Sequence, residues 1–256
     1  MIPPNDRGFT LGDGVFETVL ADEGRLVAFD RHMARMIVAC GALDLPPPPL
    51  QAAREAAASA LSSAGLIEAR AAVRLTWTAG SGGRGLDRPD ATEPRLIVTA
   101  APAPEVIAPA TLMIASVRRN ETSLTSRHKT LSYLDNVLAR AEARAAGADE
   151  ALMLNSRGEL ACAAAANVFW LRDDVLFTPA LTCGALAGIV RADVLASARA
   201  MGLTTEEVTA PPSVLHDAEA VFITNSLIGV RLSNARNATA TEQVSALAAA
   251  VSSASR

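Results

Sequence analysis

One side chain among 256 residues is a lysine. Of the 23 Lys and Arg residues, every one but Lys129 is arginine. Arginine serves wherever a permanent surface cation is enough. Its guanidinium stays protonated at any ordinary pH, so it cannot lose a proton, attack a carbonyl and form a Schiff base. A chain that uses arginine everywhere else and lysine once marks that amine as a candidate covalent catalyst; chance survival on a solvated loop is the plainer alternative. The other reactive residue types are less informative. His32, His128 and His216 are scattered and suggest neither a catalytic pairing nor a metal site. Cys40, Cys162 and Cys183 are odd in number and lack a CxxC, so neither a disulfide framework nor bound zinc is indicated and three reduced thiols are expected.

A catalytic amine needs a scaffold. With 50% hydrophobic and 20% charged residues, the chain can bury one large core or two smaller ones, and general disorder is excluded. The formal charge is −4 and the arginines are dispersed among acids, which argues against a nucleic-acid partner. No apolar run approaches a membrane span, and the opening Met1-Ile2-Pro3-Pro4-Asn5-Asp6-Arg7 lacks a secretory pattern. A cytoplasmic protein without a membrane partner is expected.

Periodicity then places the lysine. Strand-like Val15–Leu20 precedes Asp30–Cys40, where Met33, Met36, Ile37 and Cys40 have helical spacing that Gly41 and the prolines 46–49 end. Leu50–Ser63 reads as a second helix. Ala71–Thr78 and Arg95–Ala100 read as strands joined by the flexible glycine-rich loop 80–85, and Thr111–Val117 as another strand. Composition puts a boundary in the polar stretch Arg118–Arg127, giving an N-terminal domain at 1–118, a linker at 119–126 and a C-terminal domain at 127–256. Beyond it, Ser132 and Asp135 have capping spacing for a helix with an apolar face of Leu134, Val137, Leu138, Ala141 and Ala145, so Lys129 lies just before a helix. Strands at Glu150–Asn155, Leu160–Cys162, Asn167–Leu171, Val175–Thr178 and Val221–Thr224 follow, with helices at Ile189–Met201 and Glu242–Val251. Thr239 and Glu242 have capping-box spacing at the last. The whole reads as mixed α/β.

The surroundings of Lys129 decide between the two readings of it. Asp6-Arg7-Gly8, Gly12-Asp13-Gly14-Val15-Phe16-Glu17-Thr18 and His32 with Arg35 come first. Lys129-Thr130-Leu131-Ser132-Tyr133-Leu134 with Asn136-Val137-Leu138-Ala139, then Gly147–Leu152 and Asn167-Val168-Phe169-Trp170 follow. Leu186-Ala187-Gly188-Ile189-Val190-Arg191 and Val221-Phe222-Ile223-Thr224-Asn225-Ser226 complete the set. In this order, and over nearly the whole chain, these motifs resemble the fold-type IV pyridoxal-phosphate enzymes, the class IV aminotransferases. That family includes 4-amino-4-deoxychorismate lyase and the branched-chain and D-amino-acid aminotransferases. The resemblance implies a two-domain α/β fold like that of the D-amino-acid aminotransferases, pyridoxal 5′-phosphate as cofactor, and a homodimer with residues of both subunits near the site.

It also implies residue roles. Lys129 matches the lysine that holds the cofactor and shuttles the proton at the substrate carbon, two tasks that only a deprotonated primary amine performs. Arg35 matches the arginine that binds the cofactor phosphate. Gly188, Ile189 and Val190 open a helix whose backbone N–H groups suit the same phosphate, and Ser226 matches a second phosphate contact. Cys162 stands where the family has a glutamate that pairs with the pyridine nitrogen, and a neutral thiol offers no fixed negative charge there. Glu159, three residues away along an extended strand, faces the other side and is not expected to substitute.

Ala79–Leu86 and Ala165–Trp170 look like the lyase versions of their motifs. The resemblance therefore implies a lyase that converts 4-amino-4-deoxychorismate to 4-aminobenzoate, a folate precursor, and pyruvate. Arg84, on the glycine loop, is the candidate contact for a substrate carboxylate. The rivals are an aminotransferase acting on D-amino or branched-chain amino acids and, given Cys162, a non-catalytic protein that keeps the fold.

Overall fold

Alternation along residues 71–78 buries Ala71, Val73, Leu75 and Trp77 on one side. This strand organises the first half of the computed structural model, which describes residues 2–254; Met1, Ser255 and Arg256, at the ends of the expected domains, lie outside the described residues. β1 (Gly14–Asp22), β2 (Arg25–Leu26), β3 (Ala71–Thr78) and β4 (Arg95–Pro102) form an antiparallel sheet in the order β2-β1-β3-β4. α1 (Arg7–Leu11), α2 (Phe29–Ala42) and α3 (Leu50–Ser63) belong to the same unit. Val15, Val19 and Ala21 share one core with Met33, Met36 and Cys40 of α2 and Ala53, Ala57 and Leu61 of α3. Each large apolar side chain buried there contributes about 1.5–3 kcal/mol. α2 ends before the prolines 46–49, which have no backbone N–H to continue it. Trp77 Nε1 donates to the Pro46 carbonyl at 2.8 Å and ties that segment to the sheet. Among the described residues, the unit comprises those up to Pro104 and, from far along the chain, His128–Ser132.

The second unit comprises Glu105–Arg127 and the described residues from Tyr133 onward. β5 (Leu112–Arg119), β6 (Glu150–Asn155) and β7 (Leu160–Ala163) make a three-stranded sheet. β8 (Asn167–Arg172), β9 (Val175–Pro179), β10 (Thr204–Val208), β11 (Ala220–Asn225) and β12 (Gly229–Ala235) make a five-stranded sheet in the order β10-β9-β8-β11-β12. Parallel neighbours cannot be closed by a tight hairpin. Accordingly α4 (Leu124–Arg127) and α5 (Leu134–Ala145) lie in the chain between parallel β5 and β6, and α6 (Ile189–Ala200) between parallel β9 and β10. Along β8 successive side chains serve different cores. Phe169, stacked on Phe222 with ring centroids 5.1 Å apart, packs with α6 and with α7 (Ala238–Ala254), whereas Val168 and Trp170 pack with Leu152, Leu154 and Leu160.

Several expectations change, the domain limits among them: residues 105–118, expected in the N-terminal domain, belong to the second unit, and His128–Ser132, expected in the C-terminal domain, to the first. Residues 119–126 are folded into the second unit rather than forming a linker. β5 continues through Arg119, which pairs with Asn155, and the Glu121 carboxylate accepts from Ser156 N at 3.1 Å and Ser156 Oγ at 2.6 Å. Arg119, Glu121 and Ser126 are buried here while Asn120 and Thr122 stay exposed, so composition alone mistook the whole stretch for solvated chain. α5 buries Asn136, Ala139 and Ala143 and leaves Leu134, Val137 and Leu138 67%, 59% and 47% exposed. The small face lets the helix approach the strands, and Asn136 bonds across that approach. Its N-cap is Tyr133, without a side-chain cap bond, rather than Ser132. The last helix begins at Ala238, before the expected Glu242, and Asn237 Oδ1 accepts from Ala240 N at 2.8 Å in place of the Thr239 and Glu242 pairing.

Candidate active site

Lys129 stands on the edge of β1. Its carbonyl accepts from Phe16 N at 2.9 Å, Leu131 N donates to the Gly14 carbonyl at 2.9 Å, and Thr130 bridges to Val15. The backbone around the lysine is thereby fixed to β1 through an isolated bridge. Gly14 makes room for it, since a Cβ there would collide with the Trp77 carbonyl and with Leu131 Cδ1. The half-buried Lys129 places Nζ 4.2 Å from the centroid of the Phe16 ring, whose face shields one side of the amine from water.

Arg35 is held by a residue to which sequence reasoning assigned no role. Glu17, fully buried, accepts from Arg35 Nε and Nη2 at 2.7 Å each and from His32 Nδ1 at 2.8 Å. Two parallel bonds fix the guanidinium plane, and the His32 contact requires the proton on Nδ1. Burial alone would raise the Glu17 pKa. Hydrogen bonds from His32 and Arg35 and the charge of Arg35 overcome it and hold the carboxyl down at about 2. Phe16 and Glu17 are consecutive in β1 and face opposite sides of the pleat, so Lys129 Nζ and the Arg35 guanidinium meet different faces of one strand. The signal available in the sequence was a carboxylate at an inward position of an otherwise apolar strand.

The loop that carries Arg84 is more constrained than its glycines suggest. Arg7, 5% exposed, donates through Nη1 to the Asp87 carbonyl at 3.0 Å and through Nη2 to the Leu86 carbonyl at 2.9 Å, while Nε pairs with Asp13 at 2.9 Å. Arg88 grips the same Asp13 with Nε at 3.0 Å and Nη2 at 2.6 Å. Burial opposes ionisation of Asp13, but the two arginines outweigh it and lower its pKa. Gly83, at φ +82°, is needed because a Cβ would strike the Asp87 carbonyl. Arg84 itself is exposed, and its carbonyl accepts from Asp87 N at 3.1 Å.

In the second unit, Gly188 is the N-cap of α6, in extended conformation (φ −70°, ψ 141°), and no side chain caps this end. A Cβ on Gly188 would collide with Asn167 Oδ1; Asn167 Nδ2 in turn donates to the Leu186 carbonyl at 2.9 Å. Thr224 lies directly opposite Asn167 across β8 and β11, so both side chains project from the same face. Thr224 Oγ1 is buried without a hydrogen-bond partner. Ser226 is half-buried in the turn after β11, where Asn225 Oδ1 accepts from Leu227 N and Ile228 N at 2.9 Å each. Gly188, Ile189, Val190 and Ser226 thus gather at one end of the sheet, together with Asn167 and Thr224. An unsatisfied buried hydroxyl beside the N-terminus of a helix is a donor set that suits an anion such as a phosphate monoester.

Cys162, 5% exposed on β7, belongs to a core of small residues that includes Ala139, Ala143, Ala151 and Ala164. Burial raises its pKa, against the pull of the Arg119 charge, so the thiol is neutral. Glu159 is engaged elsewhere, by Asn155 Nδ2 at 2.7 Å and Arg157 Nε at 2.9 Å. Arg119, a second residue without an assigned role, is buried beside this core.

The chain belongs to the family described as Amino-transferase class IV, whose profile matches residues 14–232. It is 28% identical over 234 residues to the aminodeoxychorismate lyase of Vibrio harveyi, spanning 90% of this chain and 85% of that one. It is 26% identical over 241 residues to the D-alanine aminotransferase of Listeria monocytogenes, spanning 88% and 78%. Among solved structures, the 4-amino-4-deoxychorismate lyase from Pseudomonas aeruginosa superposes with a TM-score of 0.81 at 30% identity, covering 92% of this chain and 87% of that one. The fold is that of the fold-type IV enzymes, as the motifs implied.

Proposed function

We propose that the protein is a pyridoxal-phosphate-dependent lyase that converts 4-amino-4-deoxychorismate to 4-aminobenzoate and pyruvate. The observation that carries this reading is the position of the only lysine, fixed to β1 by backbone bonds with its amine against Phe16, in a chain similar to two such lyases. Each unit offers groups that suit the cofactor: the first an amine for its aldehyde, the second a helix N-terminus with an unpaired hydroxyl for its phosphate. When bound, the cofactor supplies an aldehyde for amines and a ring that withdraws electrons from the neighbouring carbon.

The chain's own residues do the rest. As the resemblance implies, Arg35, oriented by Glu17, would bind the phosphate, and the same role falls to Ser226 and the backbone of Gly188, Ile189 and Val190, with the Thr224 hydroxyl beside them. Lys129 removes the proton from the amine-bearing carbon of the substrate, and Arg84 holds a substrate carboxylate. As that proton leaves, the bond between the ring carbon and the ether oxygen breaks, enolpyruvate departs with that oxygen and takes up a proton to become pyruvate, and the ring becomes aromatic. Cys162, which stands where the family has a glutamate, would offer the bound cofactor no fixed negative charge and so a weaker electron sink; aromatisation of the substrate would compensate with a driving force that transamination lacks.

An assay that couples 4-aminobenzoate to pyruvate release, run beside D- and L-amino acids with keto-acid acceptors, tests the reading. Equimolar 4-aminobenzoate and pyruvate support it. Turnover confined to amino-group exchange would instead favour the D-amino-acid or branched-chain aminotransferase, which the similarity to a D-alanine aminotransferase keeps in view. Borohydride reduction must attach the cofactor to residue 129, and Lys129→Ala must abolish that attachment. A homodimer in the cytoplasm serving folate synthesis completes the proposal; the exposed Leu134, Val137 and Leu138 of α5 are the kind of face a subunit contact covers. Among the described residues no helix is long and apolar enough to cross a membrane.

A further inference from the structure

We infer that Arg119 is a positioning residue for Lys129, a clamp on the two points where the chain leaves the second unit and returns to it. The chain leaves after Arg127, carries Lys129 through the five residues His128–Ser132, and re-enters at Tyr133. Arg119, 4% exposed, reaches both sides of that excursion: Nη2 donates to the Ser126 carbonyl at 2.6 Å and Nη1 to Asn136 Oδ1 at 2.9 Å. Its Nε donates to the Gly184 carbonyl at 3.2 Å, and Gly184 is packed against Arg119 Cγ and Glu121 Cα closely enough that a side chain there would intrude. Asn136 extends the chain of bonds through Nδ2 to the Ala164 carbonyl at 2.7 Å, two residues beyond Cys162.

All three direct partners of this buried guanidinium are neutral oxygens, and among the described residues no carboxylate pairs with it. A buried cation without a counter-ion is an expensive way to stabilise a core, and apolar side chains of similar volume serve as well or better. What arginine provides and they do not is a rigid planar fork whose donors bind several chain segments at once. The arrangement therefore acts on geometry. With Ser126 three residues before Lys129 and Asn136 seven after it, the clamp limits where the amine can go.

This inference rests on the reading of Lys129 as the cofactor amine, and the test separates the two. Amide hydrogen exchange on the cofactor-free full chain is compared for wild type, Arg119→Lys and Arg119→Gln, followed by borohydride trapping of added pyridoxal phosphate at residue 129, timed by peptide mass spectrometry. Faster exchange confined to residues 127–135 is expected in both variants. The trapping rate should fall by about tenfold or more in Arg119→Gln, the scale of a lost charged hydrogen bond, and by less in Arg119→Lys. Exchange that rises evenly over the second unit, or trapping at the wild-type rate in both variants, overturns the clamp. If the Arg119 variants do not fold, Asn136→Ala, which removes one arm, must give the same confined exchange, and its failure to do so refutes the inference. Wild-type protein that traps nothing at residue 129 refutes the cofactor reading instead, and the exchange data still decide the clamp.

Discussion

Gly188→Ala offers a change whose sign depends on a single neighbour. The backbone at Gly188 is extended and ordinary for alanine, so no strain arises from φ and ψ. Stiffening the unfolded chain would stabilise the variant by about 0.4–1 kcal/mol. Alanine is a poorer N-cap than glycine by a similar amount, about 0.5–1 kcal/mol, and the two effects nearly cancel. What remains is the collision of the new Cβ with Asn167 Oδ1. Relieving it means breaking the Asn167 to Leu186 bond or shifting α6, at a cost of about 1–3 kcal/mol. In an Asn167→Ala background the main obstacle is gone, only a 3.1 Å approach to Arg191 Cβ remains, and the same substitution should cost much less. Guanidinium denaturation followed by Trp170 fluorescence, in a Trp77→Phe background so that one tryptophan reports, measures all four corners of the cycle. If Gly188→Ala costs the same with and without Asn167, the packing argument for this glycine is wrong.

Other predictions concern acid, thiols and the arginine loop. Glu17→Gln should lose about 3 kcal/mol of stability above pH 4.5, the worth of a carboxyl held at about 2 instead of 4.5. A folded-state pKa that is lowered contributes fully above the unfolded value and fades as pH falls toward the folded one, so the gap to wild type should close between pH 4.5 and 2; a gap independent of pH in urea titrations contradicts the ion network. Cys40, Cys162 and Cys183 are free and buried, and burial pushes the Cys40 thiol up to about 11 and raises Cys162. Ellman's reagent at pH 8 should therefore find almost no reactive thiol in native protein and all three after denaturation. Arg7→Met should free the loop and accelerate tryptic cleavage after Arg84 by more than about tenfold, because charged bonds to two loop carbonyls are lost; unchanged cleavage would mean that Arg88 and the glycines hold the loop alone.

The elements around the site were readable wherever a local period existed. β3, α3 and β6 fall where alternation and helical spacing put them, because which side of a strand or helix is apolar is written in neighbouring residues. α5 shows where that logic stops. Its large apolar residues point outward and its small ones inward, since the protein packs this helix by closeness of approach and by the bonds of Asn136 rather than by hydrophobic bulk.

Residue type alone singled out Lys129, because no chemistry that needs a neutral amine can be done by the arginines around it, and the order of short motifs carried the family with it. Tertiary structure decided how those residues are held. Glu17 finds Arg35 18 residues away and Arg119 finds Gly184 65 residues away, and Thr224 meets Asn167 only because β11 pairs with β8. Such partners are selected by register and by the geometry of buried hydrogen bonds. Neither leaves a period or a composition bias in the chain, so both emerge only once the sheets are assembled.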